Sequence, residues 1–152
     1  MTGLDSLYQE LILDHSKHPV GNPLHDVGDA AHADSHQKNP VCGDEITLRV
    51  AVDGDRITEV SWEGTGCSIS QASASMLASL VEEEIEGDGM TRADAVALIE
   101  RFREALRSRG TIPLDEETFA DAAALSGVSK FSARVKCAML AWVALEDGLG
   151  RA

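Results

Sequence analysis

With 152 residues, 43% of them hydrophobic, the chain is long enough to bury one core and too short to suggest two, so a single unit over residues 1–152 is expected. Its 26 acidic against 13 basic side chains leave a formal charge of -13, which argues against a sequence-independent grip on nucleic acid or anionic lipid and suits a basic face on a protein partner better. The N-terminus lacks the pattern of a signal peptide, no run of about eighteen apolar residues occurs, and three widely spaced cysteines cannot all pair; a soluble cytoplasmic protein with reduced thiols is expected.

Apolar side chains recur at helical spacing through Leu4, Leu7, Tyr8, Leu11 and Ile12, and Pro19 stops them, which predicts a first helix over residues 3–18. Residues 20–41 are rich in Gly, Asp, His, Asn and Pro and read as a loop with a short edge strand over 30–36. From Glu45 the period becomes two: Ile46, Leu48, Val50 and Val52 share a face, and after "DGD" Val60 and Trp62 share another. This predicts a half-buried hairpin, irregular or bulged near Ile57, which falls out of phase.

A helix rich in Ser and Ala should follow Cys67 and end at Gly87, its small residues allowing close packing. Thr91 and Asp94 cap a second, with Val96, Ile99, Phe102 and Leu106 on its stripe. A short helix over 115–126 leads to a last one with Phe131, Val135, Ala138, Met139, Trp142, Leu145 and Leu149 on one stripe. Consecutive strands followed by helices predict an α+β fold, a small antiparallel sheet of about three strands covered on one face by several helices.

A buried free cysteine is most often a small hydrophobe, yet none of the three sits in a setting that packing explains. Cys42 lies in the polar turn "NPVCGDEI", where Gly43 allows its sulfur and the Asp44 carboxylate to face one cation. Cys67 follows "GTG" at a helix start, where free backbone N–H groups and the helix dipole favour negative charge on sulfur. Cys137 borders the last helix's apolar stripe, with Arg134 on the same side. Three thiolates and a carboxylate suit tetrahedral zinc, although the spacing is unlike that of a zinc finger. Four of the five histidines lie in loop-like sequence and read as solvated; His15, on the first helix, is a candidate for touching a partner. The acidic stretch "EEEIEGD" reads as a solvated helix end or a surface for a basic partner, and both tryptophans read as core.

Together, "LYQELILDHSKHP", "NPVCGDEITL", "EGTGCSISQASASM" and "SKFSARVKCAMLAW" make nearly the whole chain resemble the SufU branch of the IscU-like iron-sulfur cluster assembly scaffold family. The resemblance implies that Cys42, Asp44, Cys67 and Cys137 hold zinc or an iron-sulfur cluster and that Arg134 belongs to the same site. Two departures from the scaffold type, Lys136 where a histidine precedes the third cysteine and an extra piece around residues 88–112, both resemble the SufU branch. The implied activity is that of a zinc-dependent sulfurtransferase: Cys42 takes persulfide sulfur from a SufS-type, pyridoxal phosphate-dependent cysteine desulfurase and passes it toward downstream iron-sulfur assembly proteins. Cys42 is the expected acceptor because its loop is flanked by glycine, whereas Cys67 and Cys137 are anchored to helices. The alternatives are a scaffold that builds a [2Fe-2S] cluster on the same ligands and a non-catalytic zinc module. Neither HExxH nor an HxE with PCxxC is present to suggest a zinc hydrolase or deaminase.

Overall fold

The computed structural model describes residues 3–40 and 43–152. Its elements are α1 (Gly3–Lys17), β1 (Ala31–Asn39), β2 (Asp44–Asp53), β3 (Arg56–Thr65), α2 (Ser68–Glu86), α3 (Arg92–Arg107), α4 (Glu116–Phe119), a 3-10 segment (Ala120–Lys130) and α5 (Ser132–Arg151). The strands form one antiparallel sheet in the order β1-β2-β3. None of the described helices is long and apolar enough to cross a membrane.

Alternation along β2 sets the layers. Ile46, Leu48 and Val50 are buried, while Glu45, Thr47 and Arg49 between them are half-buried on the other face. Against the inward face lie α5, over β1 and β2, and α2, over β3; α1 packs on α2, and α3 on α5. The α+β arrangement expected from element order is therefore the one observed. The irregularity at Ile57 is also present: Ala51 pairs with Glu59 but Val52 with Ile57, so one β3 residue is skipped and Ile57 turns into the core.

The small residues of α2 permit the predicted close packing. Ser73 donates its hydroxyl to the Ala138 carbonyl at 2.6 Å and accepts the Trp142 indole N–H at 3.0 Å, fixing α2 against α5. The Thr91–Asp94 box caps α3, whose Phe102 stacks on Trp142 with ring centroids 3.8 Å apart and planes 5° from parallel. Residues 88–112 thus include a helix locked to the core.

The structure revises several details. β1 runs to Asn39 rather than ending near residue 36, and the short helix expected over 115–126 is divided between α4 and the 3-10 segment. Val96 is exposed and Ala95 takes its place on the buried face of α3. Phe131, placed on the core stripe of α5 by spacing, is 63% exposed because it precedes the helix in extended backbone, where helical periodicity no longer applies. His15 is neither solvated nor available to a partner. It is buried, with Nδ1 2.7 Å from Ser75 Oγ and Nε2 2.9 Å from Asp121 Oδ2. Although the types match a hydrolytic triad, Ser75 is fully buried and its hydroxyl accepts the Val20 N–H, so the group ties α1 to α2 and the 3-10 segment.

Candidate metal centre

Two chain reversals and the second turn of α5 converge at one end of the sheet. Asn39 and Asp44 pair at the ends of β1 and β2, and the turn between them is closed by the Gly43 N–H on the Asn39 carbonyl at 2.8 Å. Gly43 has φ +74°, a conformation that costs glycine little and other residues more. On the other side of β2, Glu45 pairs with Thr65, the last residue of β3, so that Gly66 and Cys67 follow directly beside Asp44. Cys67 occupies the N-cap position of α2 with no side-chain capping bond. In the second turn of α5, Cys137 is fully buried, held there by the α2–α5 contacts at Ser73.

Asp44, Cys67 and Cys137 each bring one ligand atom to within 4.8 Å of the others. Asp44 is completely buried. Its Oδ1 accepts the Cys67 backbone N–H at 2.9 Å, while Oδ2 has no hydrogen-bond partner among the described residues. A buried carboxylate oxygen without a partner is costly, and this one is grouped with two sulfurs, a donor set that suits a borderline-soft cation such as zinc. The residues fit the metal that the sequence implies. Gly66 is needed for that fit: a Cβ there would lie 2.4 Å from Asp44 Oδ1 and 2.7 Å from Ser70 Oγ.

Of the other expected site residues, Cys42 lies outside the described residues. Arg134 is exposed and lines a cavity of about 610 Å3 together with Tyr8, Ser68, Ile69 and Phe131, on the Cys67 side of the centre. It makes no ion pair among the described residues.

The sequence reading passed over Asn39. It is 5% exposed and directs its side-chain Nδ2 toward Cys137 Sγ at 4.0 Å, a long contact of the kind sulfur accepts. Its place in "NPVCGDEI", three residues before Cys42, was the available signal. Groups that hydrogen-bond a ligand fix its orientation and tune its donor strength, and Asn39 is placed to do this for Cys137.

Known proteins resemble this chain in sequence and in fold. A family model described as NifU-like N terminal domain matches residues 7–138. The chain is 38% identical to the zinc-dependent sulfurtransferase SufU of Bacillus subtilis, over 97% of this chain and 92% of that one. It is 36% identical to the iron-sulfur cluster assembly scaffold protein IscU of Streptococcus pyogenes, covering 99% of this chain and 87% of the other. Among solved structures, FiSufU of the SUF system from Fervidobacterium islandicum AW-1 superposes with a TM-score of 0.75 at 32% identity, over 95% of this chain and 97% of that one. A hypothetical protein superposes with a TM-score of 0.82 at 35% identity, over 97% and 99%.

Proposed function

The chain belongs to the family of NifU-like N-terminal domains, and from that premise we propose that it works in iron-sulfur cluster assembly as a zinc-dependent sulfurtransferase. The observation that carries the reading is the buried Asp44 carboxylate, whose Oδ2 lacks a partner among the described residues and is grouped with the sulfurs of Cys67 and Cys137. Cys42, two residues before Asp44 in the chain, completes a set of three sulfurs and one carboxylate for zinc. Bound zinc supplies charge that keeps coordinated thiols deprotonated near neutral pH.

In the proposed transfer, the Cys42 thiolate attacks the outer sulfur of a cysteine persulfide on a desulfurase. The persulfide S–S bond breaks, a new S–S bond forms on Cys42, and the desulfurase cysteine leaves as its thiolate. Cys67 at the head of α2 and Cys137 within α5 are held by secondary structure, which suits them to stay as ligands. Arg134, without an ion-pair partner among the described residues, is assigned to face the anionic persulfide as it arrives. The desulfurase is expected to be of the pyridoxal phosphate-dependent SufS type, and the sulfur to pass on to downstream assembly proteins.

A second reading, a scaffold on which a [2Fe-2S] cluster is assembled by the same residues, is favoured by the likeness to IscU proteins and by a donor set that suits iron-sulfur clusters equally well. Replacing Cys42 with Ser separates the two. A sulfurtransferase keeps its fold and loses sulfur uptake from a desulfurase, whereas a scaffold loses retention of a reconstituted cluster. Loss of the folded state alone would instead indicate a purely structural zinc site, and unchanged sulfur uptake would refute Cys42 as the acceptor.

A further inference from the structure

The chain carries twice as many acidic as basic side chains, yet five of its 13 cations line one cavity of about 530 Å3. They are Lys38 at the end of β1, Arg103, Arg107 and Arg109 in and after the last turns of α3, and Lys136 on α5. Among the described residues, no Asp or Glu lines it. Arg103 is already engaged by Glu100 and Glu146. The other four are exposed and make no ion pair among the described residues.

The floor is apolar. Val135, Met139, Leu140 and Val143 of α5 line it together with Leu106 of α3. Three of these, Val135, Leu140 and Val143, are only half-buried. An apolar floor beside four cations without ion pairs among the described residues, on a protein of charge -13, complements a ligand that is both acidic and apolar. A small inorganic anion would gain nothing from the floor, and nucleic acid would meet neither a stacking surface nor a favourable overall field.

We propose that this groove is a docking site for an acidic segment of a partner protein that carries large apolar side chains. Asn39, which directs its Nδ2 toward the Cys137 sulfur, lines the groove together with its neighbours Lys38 and Pro40. A segment seated there lies beside the metal centre while leaving Asp44, Cys67 and Cys137 uncovered by direct contact, because none of the three lines the groove. The groove acts as an anchor separate from the reacting groups, and its existence does not depend on which chemistry the centre performs.

The test uses the full-length, zinc-loaded chain and a synthetic fluorescein-labelled peptide of alternating Asp or Glu with Leu and Phe, followed by fluorescence anisotropy. Two controls are a peptide with Ser in place of the apolar residues and inorganic phosphate as competitor. Arg107→Glu should weaken the acidic-apolar peptide by at least about tenfold, the scale of one lost charge-assisted contact, with zinc content and circular dichroism unchanged. Arg109→Gln, beyond the helix, carries the same expectation should Arg107→Glu misfold, and Leu140→Gln should weaken binding by removing floor contact. Unchanged peptide affinity in these folded variants overturns the proposal. So does equal binding of the Ser peptide or displacement by phosphate, which would make this a small-anion site. A dimer in sedimentation that Arg107→Glu dissociates would also overturn it, by showing that a second copy of the chain fills the groove.

Discussion

Adding one methyl group at Gly66 should damage the metal centre without touching a ligand. The new Cβ would sit 2.4 Å from Asp44 Oδ1, about 1 Å inside ordinary van der Waals contact. If the carboxylate retreats by that amount, its 2.9 Å bond from the Cys67 N–H stretches past hydrogen-bonding range; if the backbone moves instead, Cys67 moves with it. With metal bound, the carboxylate and the Cys67 sulfur are both fixed, so the strain falls mainly on the bound state. Losing one hydrogen bond to a charged group costs about 1.5–3 kcal/mol, so Gly66→Ala should weaken zinc roughly ten- to hundredfold. Competition with a chromophoric chelator measures this. Gly150→Ala is the control, since a Cβ there meets nothing within 4 Å. Equal zinc affinity in the two folded variants would refute the placement of the Asp44 carboxylate as a ligand.

Asn39→Ala should weaken zinc by about tenfold, as removal of groups that orient a metal ligand commonly does, and unchanged competition curves would show that the contact with Cys137 is incidental. Phe102→Ala removes a fully buried ring stacked on Trp142 and should cost about 3–5 kcal/mol in urea unfolding while leaving one zinc per chain; a loss below about 1 kcal/mol would mean α3 is not integral to the core. The hydrogen bond from Arg151, helped by that from Ser35, holds the Asp147 carboxyl below its usual value of 3.8. A depressed acid contributes stability above its unfolded pKa and loses it as pH falls through the folded one. The urea midpoint of the wild type should therefore exceed that of Asp147→Asn at pH 6 and converge with it well below pH 4; a gap that widens on acidification would contradict the assignment.

What the sequence revealed followed periodicity. β2 and β3, the bulge at Ile57 and the capped start of α3 each carry a local pattern that the packing preserves. β1 carried little of one: "AHADSHQKN" reads as polar loop because an edge strand needs few apolar residues, and its buried Ser35 donates its hydroxyl to Asp147, far away in sequence on α5. His15 was misjudged for the same reason, since its partners Ser75 and Asp121 come from other elements. Residue type and turn chemistry suggested that Asp44, Cys67 and Cys137 could meet, and the family resemblance made that expectation specific. The role of Gly66 as the space that Asp44 occupies was not legible, because it arises only when β2 and the start of α2 are side by side. The basic groove was hidden as well, because its cations come from three separated stretches and the overall charge points the other way.

The account stands most directly on one sample: the zinc-loaded chain incubated with a cysteine desulfurase and cysteine, then analysed for metal content and by peptide mass for sulfur on each cysteine. It predicts one zinc per chain and a single added sulfur on the Cys42 peptide, with Cys67 and Cys137 unmodified. Zinc retained with no sulfur on Cys42, or sulfur carried on Cys67 or Cys137 instead, would contradict it.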